Sequence, residues 1–146
     1  MQTQELHRGR LIDHVQLVVR DLAVSQKFYT AVLEVLQVPV GGTGDGFFWA
    51  DELCISTADS EAAQGQLTGR HHLAFQARDE ALVDAFFKAA MAHGGKDNGA
   101  PGLRSYHPGY YAAFVIDPDG NNVEAVYHGA AERSAPSVKI TFDAPT

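Results

Sequence analysis

Cysteine is almost missing from this 146-residue chain: Cys54 is alone, which excludes an internal disulfide. Set in the apolar run Leu53-Cys54-Ile55, it reads as a small core residue rather than a nucleophile. Basic residues are scarce too. Eleven Lys and Arg stand against 18 Asp and Glu, for a formal net charge of -7, and no basic run occurs. That excludes nucleic acid and anionic membrane surfaces as partners, because both need clustered cations. Also missing is any segment near the roughly 20 apolar residues that span a bilayer, and the opening MQTQELHRGR has no apolar stretch behind a charged start. A soluble, cytoplasmic protein is expected. What is present is a 45% hydrophobic content, enough for one ordinary domain or two small modules sharing a core.

The chain repeats itself. HVQLVVRDLAVSQKFYTAVLEVL, His14 to Leu36, aligns without gaps to HLAFQARDEALVDAFFKAAMAHG, His72 to Gly94, matching His14 with His72, Asp21 with Asp79 and Phe28 with Phe86. Each copy opens with strand-like alternation and reaches an Asp suited to cap a helix. Phe28, Val32 and Leu36, and likewise Leu82, Phe86 and Ala90, draw one apolar stripe along each predicted helix. Short β runs follow: Phe47 to Ala50 and Leu53 to Thr57 in the first half, Tyr110 to Ile116 and Asn122 to Tyr127 in the second. The turn Asp117-Pro118-Asp119-Gly120-Asn121 predicts a hairpin. The fold class is α+β, as two modules at about 10–58 and 70–129 joined by a linker from Thr57 to Arg70 and followed by an extension, 130–146, with one possible strand at Val138 to Phe142.

Within NNVEAVYH, Asn121 to His128, a glutamate interrupts an otherwise apolar strand. A buried carboxylate needs a cation, a basic side chain or water, and Glu124 can also simply face solvent. Strand parity bears on the choice. With Val15, Leu17 and Val19 under the first helix, His14 points away from it, and His72 points the same way in the second copy. A lone strand histidine is more often a hydrogen-bonded core or edge residue. Its recurrence in both copies favours convergence on one ion. Two imidazoles and a carboxylate, His14, His72 and Glu124, form a ligand set for one divalent metal (Mn, Fe, Zn, Ni or Co) with open coordination positions.

The sequence resembles the vicinal oxygen chelate superfamily, the glyoxalase, bleomycin-resistance and extradiol-dioxygenase group. The resemblance is carried by DHVQLVVRDLAVSQKFY at Asp13 to Tyr29, HLAFQARDEALVDAFF at His72 to Phe87 and DPDGNNVEAV at Asp117 to Val126. It implies two tandem βαβββ modules, in a single domain at 10–129, whose mixed sheets curl around a metal site. His14, His72 and Glu124 match three of its four ligand positions. The fourth falls on Cys54 or Ser56, where glyoxalase I enzymes have Glu or Gln. A three-ligand site leaves room for a substrate with neighbouring oxygens to chelate.

The loop GLRSYHPGYY, Gly102 to Tyr111, supplies a cation, phenols and an imidazole beside that site, although its tyrosines are also plain strand formers. Glu124, Tyr106 and Arg104 are the candidate catalytic residues. His107, Tyr111 and Ser56 are the candidate substrate contacts. The leading reading is a metal-dependent lyase, isomerase or dioxygenase acting on a small molecule. The rival is a metal-free protein that sequesters a drug or metabolite. Each half-barrel must close against another, so a homodimer is expected.

Overall fold

A computed structural model describes residues 3–143. Its strands are β1 (Thr3–Arg8), β2 (Val15–Val18), β3 (Gly42–Gly44), β4 (Phe47–Ala50), β5 (Leu53–Ser56), β6 (His72–Gln76), β7 (Lys96–Leu103), β8 (Tyr111–Ile116), β9 (Asn122–Tyr127) and β10 (Val138–Asp143). The helices are α1 (Leu22–Val35) and α2 (Glu80–Ala92). The Asp21 carboxylate accepts the Val24 N–H at 3.2 Å and that of Asp79 the Leu82 N–H at 2.8 Å, so each repeat starts its helix with the same cap. α2 stops before Gly94, whose φ of +96° disfavours a side chain.

Each half is a βαβββ module with its own four-stranded mixed sheet, ordered β2-β5-β4-β3 in the first and β6-β9-β8-β7 in the second. β2 lies parallel to β5 and β6 parallel to β9, and the other pairs are antiparallel. Phe28, Val32, Val83 and Phe86 are fully buried, and with Leu17, Val115 and Val123 they form one core that runs through both modules. Burying each such side chain contributes about 1.5–3 kcal/mol. At Gly95 a Cβ would lie 2.4 Å from Val115 and 3.1 Å from Phe28, so the turn after α2 passes this seam only as glycine.

The DPDG turn fastens the modules together. Asp117, buried, accepts the N–H groups of Asp119 (2.9 Å) and Asn121 (2.8 Å) on Oδ1, and on Oδ2 it accepts the Asn121 amide (2.8 Å) and the Tyr29 hydroxyl of α1. Asp119 reaches across as well, accepting the Arg20 N–H at 3.0 Å and the Ser25 hydroxyl at 3.2 Å. Burial, and then the Asp117 charge, push the Tyr29 phenol well above its ordinary value. The unfolded chain releases that proton near pH 10 while the folded chain keeps it, so stability is complete below pH 10 and falls above it. Tyr29→Phe is expected to reduce the alkaline slope of urea-unfolding free energy by one proton, about 1.4 kcal/mol per pH unit. Equal slopes for the two proteins would remove Tyr29 as the cause.

The segment at Val138 to Phe142 is a strand, but its partner is β1, which the opening sequence did not suggest. β1 and β10 pair antiparallel with Leu6 opposite Ile140, and Val138, Ile140 and Phe142 line one exposed face. No helix of the described residues is long and apolar enough to cross a membrane.

Candidate active site

The parallel β6–β9 pair sets Ala74 beside Glu124 and His72 beside Asn122. Leu73 and Phe75 pack on the core, so His72, Ala74 and Gln76 take the open face. Glu124 shares that face and is still only 2% exposed. Its carboxylate is held by two donors: His72 Nε2 lies 2.8 Å from Oε1, and the Tyr110 hydroxyl donates to Oε2. Asn122 Nδ2 donates to His72 Nδ1 at 2.8 Å, while Asn122 Oδ1 accepts from Asn98 at 3.1 Å. This order places the neutral ring's proton on Nε2, pointing at Glu124. Burial first, then the bond to Glu124, push the Tyr110 phenol well up, so it remains a proton donor through the neutral range.

The His72–Glu124 pair makes a hydrogen bond whose length can also be set against that of two ligands on one ion. Two donors bound at right angles to an ion at about 2.1 Å stand about 3.0 Å apart, close to the spacing of Nε2 and Oε1 here. His14 is elsewhere in the chain. Its ring is 70% exposed, its Nδ1 is 2.7 Å from Asp13 Oδ1, and that contact holds the Asp13 carboxyl below its usual range. Among the described residues, no three His, Cys, Asp or Glu side chains gather around one point. One chain therefore joins two of the three expected ligands.

His14 lines a cavity of about 250 Å³ with Arg8, Trp49, Glu52 and Cys54. Gln16 pairs with Cys54 as Ala74 pairs with Glu124, so Cys54 occupies the counterpart of the glutamate position. Burial raises its thiol. Ser56 is buried and accepts Gln16 Nε2 at 2.7 Å, at the edge of a second cavity of about 400 Å³.

The 104–110 loop overhangs the glutamate. Tyr106, 72% exposed, meets the Tyr110 ring edge-on at 4.9 Å. His107 Nε2 is 2.8 Å from His128 Nδ1, and the Tyr110 ring sits edge-on to both imidazoles. Arg104 lies over the Phe114 ring. β8 parity places Tyr111, expected as a substrate contact, on the helix side, where its hydroxyl donates to Asp84 of α2 at 2.6 Å and its phenol is pushed up to about 12 by that bond. Tyr110 takes the place at the site, and with Asn122 it was missed. Both share the parity of Glu124 across β8 and β9, the signal by which they were findable.

Residues 11–125 match the Glyoxalase/Bleomycin resistance protein/Dioxygenase superfamily. The chain belongs to that superfamily. Among solved structures, a glyoxalase/bleomycin resistance protein from Albidiferax ferrireducens is 32% identical, with a TM-score of 0.68 over 80% of this chain and 97% of that one. A glyoxalase-related enzyme from Fulvimarina pelagi (17% identity, TM-score 0.65, 86% and 99% covered) and a lactoylglutathione lyase from Agrobacterium tumefaciens (20%, 0.57, 81% and 93%) share the fold. No curated protein matches significantly. The glyoxalase-superfamily match begins after β1 and ends before β10, so the ribbon those strands make lies outside it.

Proposed function

We propose that this protein is a divalent-metal-dependent enzyme acting on a small molecule with neighbouring oxygen atoms, by lyase, isomerase or dioxygenase chemistry. The observation that carries this reading is the His72–Glu124 pair, 2.8 Å apart on the open face of a sheet and backed by Asn122 and Tyr110. His72 and Glu124 would hold the ion, with His14 of a second copy as third ligand, since one chain leaves His14 apart. When bound, the metal would supply Lewis acidity and a template for the chelating oxygens. Asn122 orients the His72 ring, and for Nε2 to bind the ion the ring's proton would pass to Nδ1, with Asn122 presenting its amide oxygen there. Glu124 is the group able to take a proton from the substrate and give it back, and Tyr110, which keeps its own proton, steadies the carboxylate through its free oxygen. Tyr106 and His107 wall the entrance. A cytoplasmic setting goes with the single free thiol.

Protein purified without chelators is expected to carry about one equivalent of Mn, Fe, Co, Ni or Zn per chain. Less than about a tenth of an equivalent, with no uptake on addition, would favour a metal-free sequestering protein instead. The shared site has its own test. Chains carrying His14→Ala and chains carrying Glu124→Ala should each bind no metal tightly, and after unfolding and refolding together about a quarter of the sites should return, because a mixed twofold dimer holds one intact site. No recovery, or a mass near 15.8 kDa at full occupancy, would place all ligands in one chain.

A further inference from the structure

Arg104 has no carboxylate partner among the described residues, in a chain with 18 acids to 11 bases. Yet it is not a loose surface cation. Its guanidinium lies 5.3 Å from the Phe114 ring centroid, its Nη2 donates to the Ala100 carbonyl at 2.7 Å, and its backbone N–H donates to the Tyr110 carbonyl at 2.8 Å. The bed beneath it is made by glycines. A Cβ at Gly102 would stand 3.1 Å from Arg104 Nη1, and one at Gly99 would stand 3.3 Å from Nη2 and 3.0 Å from Phe114 Cδ2. The ladder between β7 and β8 shifts register on both sides of Gly99, which gives this strand its irregular, open floor.

The address of this cation is specific. Phe114 is the cross-strand partner of Glu124, and its ring centroid is 6.0 Å from that of His72. Arg104 and His72 therefore both neighbour the Phe114 ring, on the sheet face that carries Glu124. Two of the five guanidinium N–H groups at most are spent on carbonyls, so the fork keeps donors for a ligand. A planar fork of this kind matches a carboxylate better than it matches a neutral group.

We propose that Arg104 is the anchor for a distal carboxylate, so that the site takes an anionic small molecule with vicinal oxygens at one end and a carboxylate beyond them. The inference rests on reading His72 and Glu124 as the chelating end, and it deepens that reading by naming a substrate class. Phe114 supplies the apolar floor for the carbon chain between the two ends. Lys96, opposite Ile116 on β8, shares this sheet face, but Arg104 is the cation that lies on the Phe114 ring beside His72.

Two measurements separate the anchor from the chelating end. With Mn-loaded protein, calorimetry is expected to give 2-oxoadipate an affinity about 10- to 100-fold above that of 2-oxohexanoate, which keeps the oxo acid and ends in a methyl group. Arg104→Gln should bring that ratio to about one while leaving 2-oxohexanoate unchanged, and Gly102→Val, which fills the cradle and keeps the charge, should lower it partway. A ratio near one in the wild type, or one untouched by Arg104→Gln, overturns the proposal. In metal-free protein, the Arg104 Nε–H resonance, assigned by its loss in Arg104→Gln, should shift with glutarate and stay in place with glutaramide. A glutarate shift without oxo-acid binding supports the anchor and sinks the chelating end. No glutarate shift sinks the anchor, even when both oxo acids bind Mn-loaded protein.

Discussion

Glu124→Ala is expected to lower affinity for Mn or Zn by about 100-fold or more, while Ser56→Ala leaves it unchanged. Loss of a group that only orients a ligand already costs about 10- to 100-fold in metal affinity. Glu124 is proposed as a direct ligand and the only anionic one, so its loss belongs at or beyond the top of that range. Ser56 is occupied by Gln16 and adds no charge. Glu124→Gln should fall between, since it keeps an oxygen donor and gives up the charge. The fold should survive all three, because the His72 side chain is 52% exposed and water can take over its N–H. Isothermal titration of each variant with Mn and Zn, beside circular dichroism, decides the matter, and equal affinities for wild type and Glu124→Ala would end the assignment.

Asp117→Ala is expected to be the most damaging single change to stability away from the site, at about 3 kcal/mol or more. The Tyr29 hydroxyl and the Asn121 amide, on side chains 0% and 1% exposed, would both lose their acceptor, together with two backbone N–H groups. Each buried donor left unsatisfied costs about 1–3 kcal/mol. At about 2–4 °C per kcal/mol for a chain of this size, the melting temperature should fall by roughly ten degrees. Asp119→Ala, which frees the exposed Arg20 N–H and the buried Ser25 hydroxyl, should cost less, about 1–2 kcal/mol. Urea unfolding measures both, and a loss below about 1 kcal/mol for Asp117→Ala would mean that water replaces the carboxylate.

How far these features were legible in the sequence follows from how local their causes are. Both helices, their Asp caps and the pairing of the two halves were readable, because an internal repeat and a 3.6-residue stripe are local signals. β7 was not: its sequence, KDNGAPGL, has little strand propensity, and it exists as a strand because β8 offers it a ladder with two register shifts. β3, Gly-Thr-Gly, was missed likewise, and it exists beneath Trp49, whose Nε1 would stand 2.6 Å from a Cβ at Gly42. β1 was unreadable because its partner lies at the other end of the chain. At the site, Glu124 and His72 came from the repeat and from strand parity. Tyr110 and Tyr111 are equally good strand formers, and only the register that sets Phe114 opposite Glu124 tells which of them faces inward.

The separation of the two sheets has a consequence for how such a molecule can be rearranged. Within the body, every strand of each four-stranded ladder comes from one half of the sequence, so no ladder hydrogen bond joins the halves. Two copies could trade halves and keep both ladders whole. What would resist the trade is what crosses the seam: the apolar contact between α1 and α2, the grip of Asp117 and Asp119 on α1, and the β1–β10 ribbon. Those latches, rather than the sheets, decide which half keeps company with which, and they could be retuned by mutation without redrawing either βαβββ unit.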